Sequence, residues 1–374
     1  MLQTDLIAPV PELLRRHARE RGAKFAYRDA HSQVTYAELL DHTGRIAGHL
    51  ADNGVESGDT VAIMLPNSVQ WVEACFGITR GGAIGVPISY DSSEPEIAYR
   101  LGDAICKAVF TTAERADLFV KLQRDAPNLK TLIVADRGLS SAKALRYRDL
   151  IGKAASSAPR DPPLMHEHIL YTSGTTGRAK GVKLTVHGML WVAAACWGPI
   201  TGLGERDTVL SPLPLFHSYA LNLSVLSILA TGASEYIMER FSTGEAVRLL
   251  KTGEFTYFPG VPTMFHYLLQ ATKDEKDLKI PGLRLCASAG AIMPATLNRV
   301  QRAAARWLRN HRNFDHGDDE LAVRRACSRL LRAAAAGPRR AYRRARERHG
   351  LQAGPGRGVD RARAKRDAWL SQQA

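Results

Sequence analysis

Apolar residues return in two alternating rhythms along roughly the first 298 positions of the chain. Short apolar runs of strand length are followed by stretches in which apolar positions recur every three or four residues. Val61-Ala-Ile-Met-Leu-Pro66 is a continuous run of the kind that predicts a strand buried on both faces. Directly after it, Val69–Thr79 places Trp71, Cys75, Phe76 and Ile78 at helical spacing. Ala108–Thr112 and Thr131–Ala135 predict further strands, and Gly85–Ile88 an extended segment. His168–Tyr171 predicts a strand that runs into a glycine-rich loop. This alternation is the signature of an α/β fold. Ser140–Pro163, rich in Ser and Ala with three prolines near its end, breaks the rhythm and predicts a linker between two lobes. No internal repeat is visible.

The rhythm fades at about residue 299. Gln301–Ala374 is written largely in Arg and Ala, with runs such as Ala333–Ala336 and Arg339-Arg-Ala-Tyr-Arg-Arg-Ala-Arg346. The expected organisation is therefore a body over 1–298 and an aberrant tail over 299–374, helical or disordered. Charge divides at the same place. The tail holds 19 Arg and 1 Lys against 7 acidic residues, a net of +13, out of +14 for the chain. The body carries the remaining 31 basic and 30 acidic groups, a net of +1. The overall basicity therefore does not point the body toward a nucleic acid.

Composition adds only bounds. With 374 residues, 45% hydrophobic and 24% charged, the chain is long enough for one large domain or two to three smaller ones. No run approaches the roughly 20 apolar residues that cross a bilayer. Met1–Pro9 lacks a basic start followed by an apolar core, so no secretory signal is expected. The five cysteines, at 75, 106, 196, 286 and 327, form no Cys-x-x-Cys pair and are expected to be reduced thiols of a cytoplasmic protein.

Chemistry concentrates in Tyr171-Thr-Ser-Gly-Thr-Thr-Gly-Arg-Ala-Lys-Gly-Val182, where seven of twelve residues are Gly, Thr or Ser. Glycines let backbone N–H groups approach an anion closely. The hydroxyls of Thr172, Ser173, Thr175 and Thr176 add donors, and Lys180 adds a positive charge. Together these groups suit the outer phosphates of a nucleoside triphosphate. The spacing G-x-x-G-x-x-K-G is not that of a Walker loop. A polar surface loop would have the same composition.

The loop resembles the signature of the adenylate-forming superfamily, which includes acyl-CoA synthetases, coumarate ligases, luciferases and peptide-synthetase adenylation domains. Ala179 stands where that pattern usually has Pro. Other segments are similar to the family in the expected order: Val34–Leu39, Gly58–Asn67, Gly81–Pro87, Ala98–Asp103, Pro214–Ala220, Tyr236–Phe241, Pro259–Thr263 and Ser288–Pro294. The resemblance is nearly continuous over 10–298. It implies the large N-terminal domain of the adenylate-forming fold, an α/β architecture of layered α/β/α sheets that is incomplete in this sequence, and a two-step reaction. A carboxylate first attacks the α-phosphate of Mg-ATP to give acyl-adenylate and pyrophosphate. Coenzyme A then displaces AMP to form a thioester. The implied acid is fatty or related, with an aryl acid as the alternative; ATP, Mg2+ and coenzyme A are the implied co-reactants.

Residue by residue, the resemblance puts Thr172, Ser173, Gly174, Thr175, Thr176, Gly177 and Lys180 on the ATP phosphates, and Gly290 and Ala291 against adenine. It puts His217 beside the acyl carboxylate as the catalytic candidate, Tyr219 in the acyl pocket, and Arg240 near the phosphates of coenzyme A. No residue is assigned to a metal. A turn, a core contact or a solvated charge would account for each of these residues taken singly.

The family pattern continues with an aromatic-Gly-x-Thr-Glu motif, a ribose-binding Asp, a hinge, and a small C-terminal domain bearing the adenylation Lys. None of these appears in this sequence, and the Arg/Ala tail stands in their place. Back-translated and slid by one base, the text from Val300 can read as a segment containing Tyr-Gly-Ile-Thr-Glu. Trp307-Leu308 and Trp369-Leu370 must each yield Gly in that register, where the family has Gly. The expectation is a frame change near residue 299, leaving an incomplete ligase domain with impaired activity. The competing expectation is a genuine basic tail for an anionic partner.

Overall fold

A computed structural model describes residues 2–124, 126–135, 144–172, 178–275 and 280–291. The tail expectation and the 298/299 boundary lie outside the described residues.

Thirteen described strands form two sheets. They are β1 (Phe25–Arg28), β2 (Gln33–Thr35), β3 (Thr60–Ile63), β4 (Ile84–Pro87), β5 (Cys106–Thr111), β6 (Thr131–Val134) and β7 (Leu145–Arg146). They continue as β8 (Glu167–Thr172), β9 (Lys180–Thr185), β10 (Thr208–Ser211), β11 (Ser234–Ile237), β12 (Tyr257–Gly260) and β13 (Leu285–Ser288). The seven-stranded sheet runs β7-β6-β5-β3-β4-β8-β9, and the six-stranded sheet runs β13-β12-β10-β11-β1-β2. Neighbours pair in parallel except β8 with β9 and β1 with β2. The strands expected at 61, 85, 108, 131 and 168, and the helix expected at 69–79, are all present.

The long apolar runs become central strands because parallel sheets are covered on both faces. All four residues of β3 and of β6 are buried. Helices Glu94–Asp103 and Ala113–Leu122 close one face of the seven-stranded sheet with Ile97, Leu101, Ala116, Phe119 and Leu122. Helices Tyr36–Asp52 and Val69–Arg80 pack on each other, and the second lies along β3 and β4. Local signals set their starts. Thr35 and Glu38 form a capping box, and the Ser68 hydroxyl accepts from the Trp71 N–H. Beside the six-stranded sheet, helices Thr243–Leu250 and Pro262–Thr272 bury Leu249, Leu250 and Phe265 against Leu210, Phe255 and Phe258.

The expectation of a lobe linker at 140–163 is corrected over its described part, 144–163. Both the strand before it, β6, and the strand after it, β8, belong to the same sheet. The segment is pinned along its length. Asp52 accepts from the Ser156 and Ser157 amides, Arg160 donates to the Val55 and Gly81 carbonyls, and Arg80 donates to Asp161 at 2.8 Å. Small polar residues read as linker composition, yet here they satisfy backbone and charge on the adjoining helices.

Candidate functional site

The stems of the hydroxyl-rich loop are the antiparallel pair β8 and β9. Thr172 and Lys180 are the last partners of that ladder, and both side chains are exposed. The structure thus sets a hydroxyl opposite an ammonium at the mouth of the loop. Ser173, Gly174, Thr175, Thr176 and Gly177 lie outside the described residues. Helix Glu94–Asp103 braces both stems. The Tyr99 hydroxyl donates to the Ala179 carbonyl at 3.0 Å, and the Tyr171 hydroxyl donates to Asp103 at 2.6 Å. Burial, and then the Asp103 carboxylate, push the Tyr171 phenol well above its ordinary pKa, so it remains a donor. Arg178 sits over the Tyr99 ring, with its guanidinium carbon 6.0 Å from the centroid.

His217 and Tyr219 follow β10. His217 is exposed and caps the short helix Ser218–Ala220, its Nδ1 accepting from the Tyr219 amide at 3.3 Å. With Nδ1 used as an acceptor, the neutral ring carries its proton on Nε2, the nitrogen free to meet a ligand. The Tyr219 hydroxyl is buried without a partner among the described residues, and burial pushes this phenol far above the usual range. Its ring lies 6.0 Å from that of Trp197, tilted by 33°.

Arg240 follows β11 and pairs with Asp91 at 2.9 Å on the surface. It lines a cavity of about 410 Å3 together with Asn67, Phe241, Glu239, Glu245 and Asp29. Asp29 is committed internally, accepting from the His31, Ser32 and Val69 amides. A phosphate at Arg240 would have to displace Asp91 and approach past Glu239 and Glu245, so the residue is less available to an anion than its sequence position suggests.

Gly290 and Ala291 follow β13 and are exposed. Gly290 has φ +82°, a conformation that side-chain-bearing residues rarely adopt. The Ala289 amide donates to Gly260 at 3.3 Å, which sets this strip beside the turn after β12.

The described candidates share one topological feature. Thr172, His217, Arg240 and Gly290 end or follow β8, β10, β11 and β13, at the carboxyl ends of parallel strands, where ligands of open α/β sheets bind. Asn67, which follows β3 of the seven-stranded sheet, ties that sheet to the segments after β10 and β11. Its amide donates to the Leu213 carbonyl at 2.9 Å and to Met238 at 3.3 Å, and its oxygen accepts from the Leu215 amide at 2.9 Å. Asn67, Tyr99 and Asp103 were legible only as family text; their roles appear with the tertiary contacts. A Thr172–Lys180 pair and an exposed imidazole have the chemistry to meet a polyphosphate and a carboxylate. Among the described residues no three His, Cys, Asp or Glu side chains cluster as a metal site, and no helix is long and apolar enough to cross a membrane.

The AMP-binding enzyme family matches residues 14–310, reaching past the change of composition at 299. The chain is 31% identical over 280 residues to the long-chain-fatty-acid–CoA ligase FadD13 of Mycobacterium tuberculosis, covering 72% of this chain and 52% of that protein. It is 29% identical over 297 residues to the 4-hydroxybenzoate–CoA/benzoate–CoA ligase of Rhodopseudomonas palustris, covering 78% and 54%. It thus spans about half the length of these two relatives. Among solved structures, the anthranilate CoA ligase AuaEII in complex with anthranoyl-AMP superposes with a TM-score of 0.74 at 24% identity, covering 81% of this chain and 60% of that one. The inhibitor-bound N-terminal domain of FACL13 from Mycobacterium tuberculosis superposes with a TM-score of 0.68 at 27% identity, covering 80% and 74%. Two sheets, candidate residues at the carboxyl ends of their strands and a match across most of the chain agree: the protein belongs to the AMP-binding enzyme family, with the fold of an adenylate-forming ligase N-terminal domain.

Proposed function

We propose that the chain carries the adenylate-forming site of an acid–CoA ligase. A carboxylate oxygen attacks the α-phosphorus of ATP, the bond to the bridging oxygen breaks, and pyrophosphate leaves. The thiol of coenzyme A then attacks the acyl carbon of the adenylate, AMP leaves, and the thiol proton passes to solvent. The observation that carries this reading is the Thr172–Lys180 pair closing the hydroxyl-rich loop at the end of β8. In this role Lys180 and Thr172 neutralise and orient the outer phosphates, with Ser173–Gly177 completing the cradle. His217 Nε2–H holds the acid carboxylate beside the α-phosphate, Tyr219 lines the acyl pocket, and Gly290–Ala291 carry adenine. Positioning and charge neutralisation supply the rate. Mg2+ would arrive with ATP and offset phosphate charge. The cavity beside Arg240 is the proposed approach of coenzyme A, with Arg240 released from Asp91 on binding. The acid is a fatty or an aryl carboxylic acid, since relatives of both kinds match.

ATP–pyrophosphate exchange with the purified chain and a panel of fatty and aryl acids tests the reading. Acid-dependent exchange that falls about 10- to 100-fold in Lys180→Ala supports it, the size expected for one lost charge-assisted contact. Binding of ATP with no exchange for any acid would instead favour a non-catalytic remnant of such a ligase.

A further inference from the structure

Behind Tyr219 stands a wall built from two π-helical stretches, a rare geometry often found at functional sites. Helix Val186–Val192 opens into the first, Ala193–Trp197, and helix Ser218–Ala220 opens into the second, Leu221–Ser227. Trp197 ends the first stretch and Asn222 lies in the second, and the two side chains meet. Trp197 Nε1–H donates to Asn222 Oδ1 at 2.6 Å, and Asn222 Nδ2–H donates to the Met189 carbonyl at 2.7 Å. Both side chains are buried, at 5% and 8% exposure for their residues. The Asn222 carbonyl also accepts from the Ser227 hydroxyl at 2.7 Å.

These bonds consume both ends of the Asn222 amide and the single donor of the indole. Swinging the indole aside would leave a buried N–H and a buried amide oxygen unpaired, which is costly away from water. Leu221, Leu223 and Val225 of the second stretch are fully buried, so the backbone beneath is packed as well. A methionine or leucine wall could yield to a long chain; this one is pinned.

We propose that Trp197, locked in place by Asn222, is a fixed stop behind Tyr219 that makes the acid pocket short. The preferred substrate is then a compact carboxylic acid, the size of one aromatic ring, rather than a long unbranched fatty acid. This rests on the reading of Tyr219 as acyl-pocket wall. Trp197 acts by backing Tyr219, whose ring it meets at 6.0 Å, and Asn222 is a positioning residue that holds Trp197 there.

The test uses the purified full chain and three probes by calorimetry: 5′-sulfamoyladenosine without an acyl group, its benzoyl conjugate and its dodecanoyl conjugate. The wild type should bind the benzoyl probe at least tenfold more tightly than the dodecanoyl probe. Trp197→Leu should shrink that ratio about tenfold by gaining dodecanoyl affinity, with benzoyl affinity changed less than threefold. Asn222→Leu should move the ratio the same way by a few-fold, a split that general loosening of the fold would not produce. If Trp197→Leu does not fold, Trp197→Phe should shift the ratio about threefold in the same direction. A wild type that binds the dodecanoyl probe as tightly as the benzoyl one overturns the proposal, as does an unchanged ratio in the folded variants. Failure of all three probes, the unacylated one included, would instead overturn the adenylate-site reading, and this inference would fall with it.

Discussion

Replacing Asp161 tests whether the 144–163 segment is an integral part of the fold. Asp161 receives Arg80 Nε at 2.8 Å and Arg15 Nη1 at 2.6 Å. The Arg80 side chain is 6% exposed, that of Asp161 19% and that of Arg15 52%. Removing one partner of a buried pair costs about 3–5 kcal/mol, because the other charge is left uncompensated. Arg80 keeps the Leu40 carbonyl at 2.6 Å and the Thr43 hydroxyl at 3.1 Å, which places the loss at the low end of that range. Asp161 also sits at φ +46°, where Ala costs about 1 kcal/mol more than a residue that tolerates the left-handed region. Asp161→Ala should therefore destabilise the protein by about 4 kcal/mol. Asp161→Asn keeps the backbone preference and an acceptor and should cost about half as much. Arg15→Ala, on the solvent side of the same carboxylate, should cost less than about 1 kcal/mol. Urea unfolding followed by tryptophan fluorescence measures all three. An Asp161→Ala loss no larger than that of Arg15→Ala would refute the argument that this segment carries a buried ion pair.

Other positions give sharper local readouts. Burial, with His166 nearby, lowers the fully buried His168 to a pKa of about 3 from 6.5. As pH falls below 6.5 the unfolded chain takes up this proton first, so stability should be complete above that pH and decline by up to about 1.4 kcal/mol per unit below it; urea midpoints from pH 7 to 5 should flatten in His168→Leu. Gly85→Ala should destabilise the same sheet by at least about 1 kcal/mol, because its Cβ would come 2.7 Å from His168 Nδ1, and a thermal melt matching wild type would refute the overlap. Tyr99→Phe removes the bond to the Ala179 carbonyl and should weaken ATP binding several-fold in calorimetry while leaving the melting temperature nearly unchanged. Gly290→Ala, strained at φ +82°, should weaken adenosine binding more than pyrophosphate binding; equal loss of both would argue against an adenine strip.

Strands and helices were legible where burial imposes a strong pattern. β3 and β6 read directly from Val61–Pro66 and Thr131–Ala135 because strands covered on both faces must be apolar throughout. The segment 144–163 has the composition of a linker because its contacts are polar and made with residues far away in sequence, Asp52, Val55 and Arg80, and no local rhythm encodes such pairing. The same holds for the site. Thr172 and Lys180 could be paired by the hairpin around a glycine loop, since their contact is local. The brace from Tyr99 and the Asn67 staple span 80 and more than 140 residues, and no spacing rule reaches that far. The two π-helical stretches were invisible for a different reason. Ala193–Trp197 and Leu221–Ser227 have ordinary apolar helix composition, and only the Trp197–Asn222 bond between them gives the wider turn a role.

Asn67 then bears on how two sheets can make one site. The residues proposed to face the acid and coenzyme A follow β10 and β11 of the six-stranded sheet, while the loop proposed to hold phosphate follows β8 of the seven-stranded sheet. In-line attack on phosphorus requires the carboxylate and the phosphate to be held within a few tenths of an ångström of a fixed geometry. Neither sheet alone sets that distance. Leu213 and Leu215 flank Pro214 in the segment leading to His217, and Met238 lies two residues before Arg240; Asn67 bonds the backbone of all three. One amide at the end of β3 therefore fixes both segments of the opposite sheet relative to the sheet that carries the loop. Asn67→Ala should accordingly lower pyrophosphate exchange far more than it weakens ATP itself, because Asn67 bonds the segments leading to His217 and Arg240 and neither the loop after β8 nor the Gly290–Ala291 strip. Equal effects on exchange and on ATP affinity would show that the register between the sheets is set elsewhere.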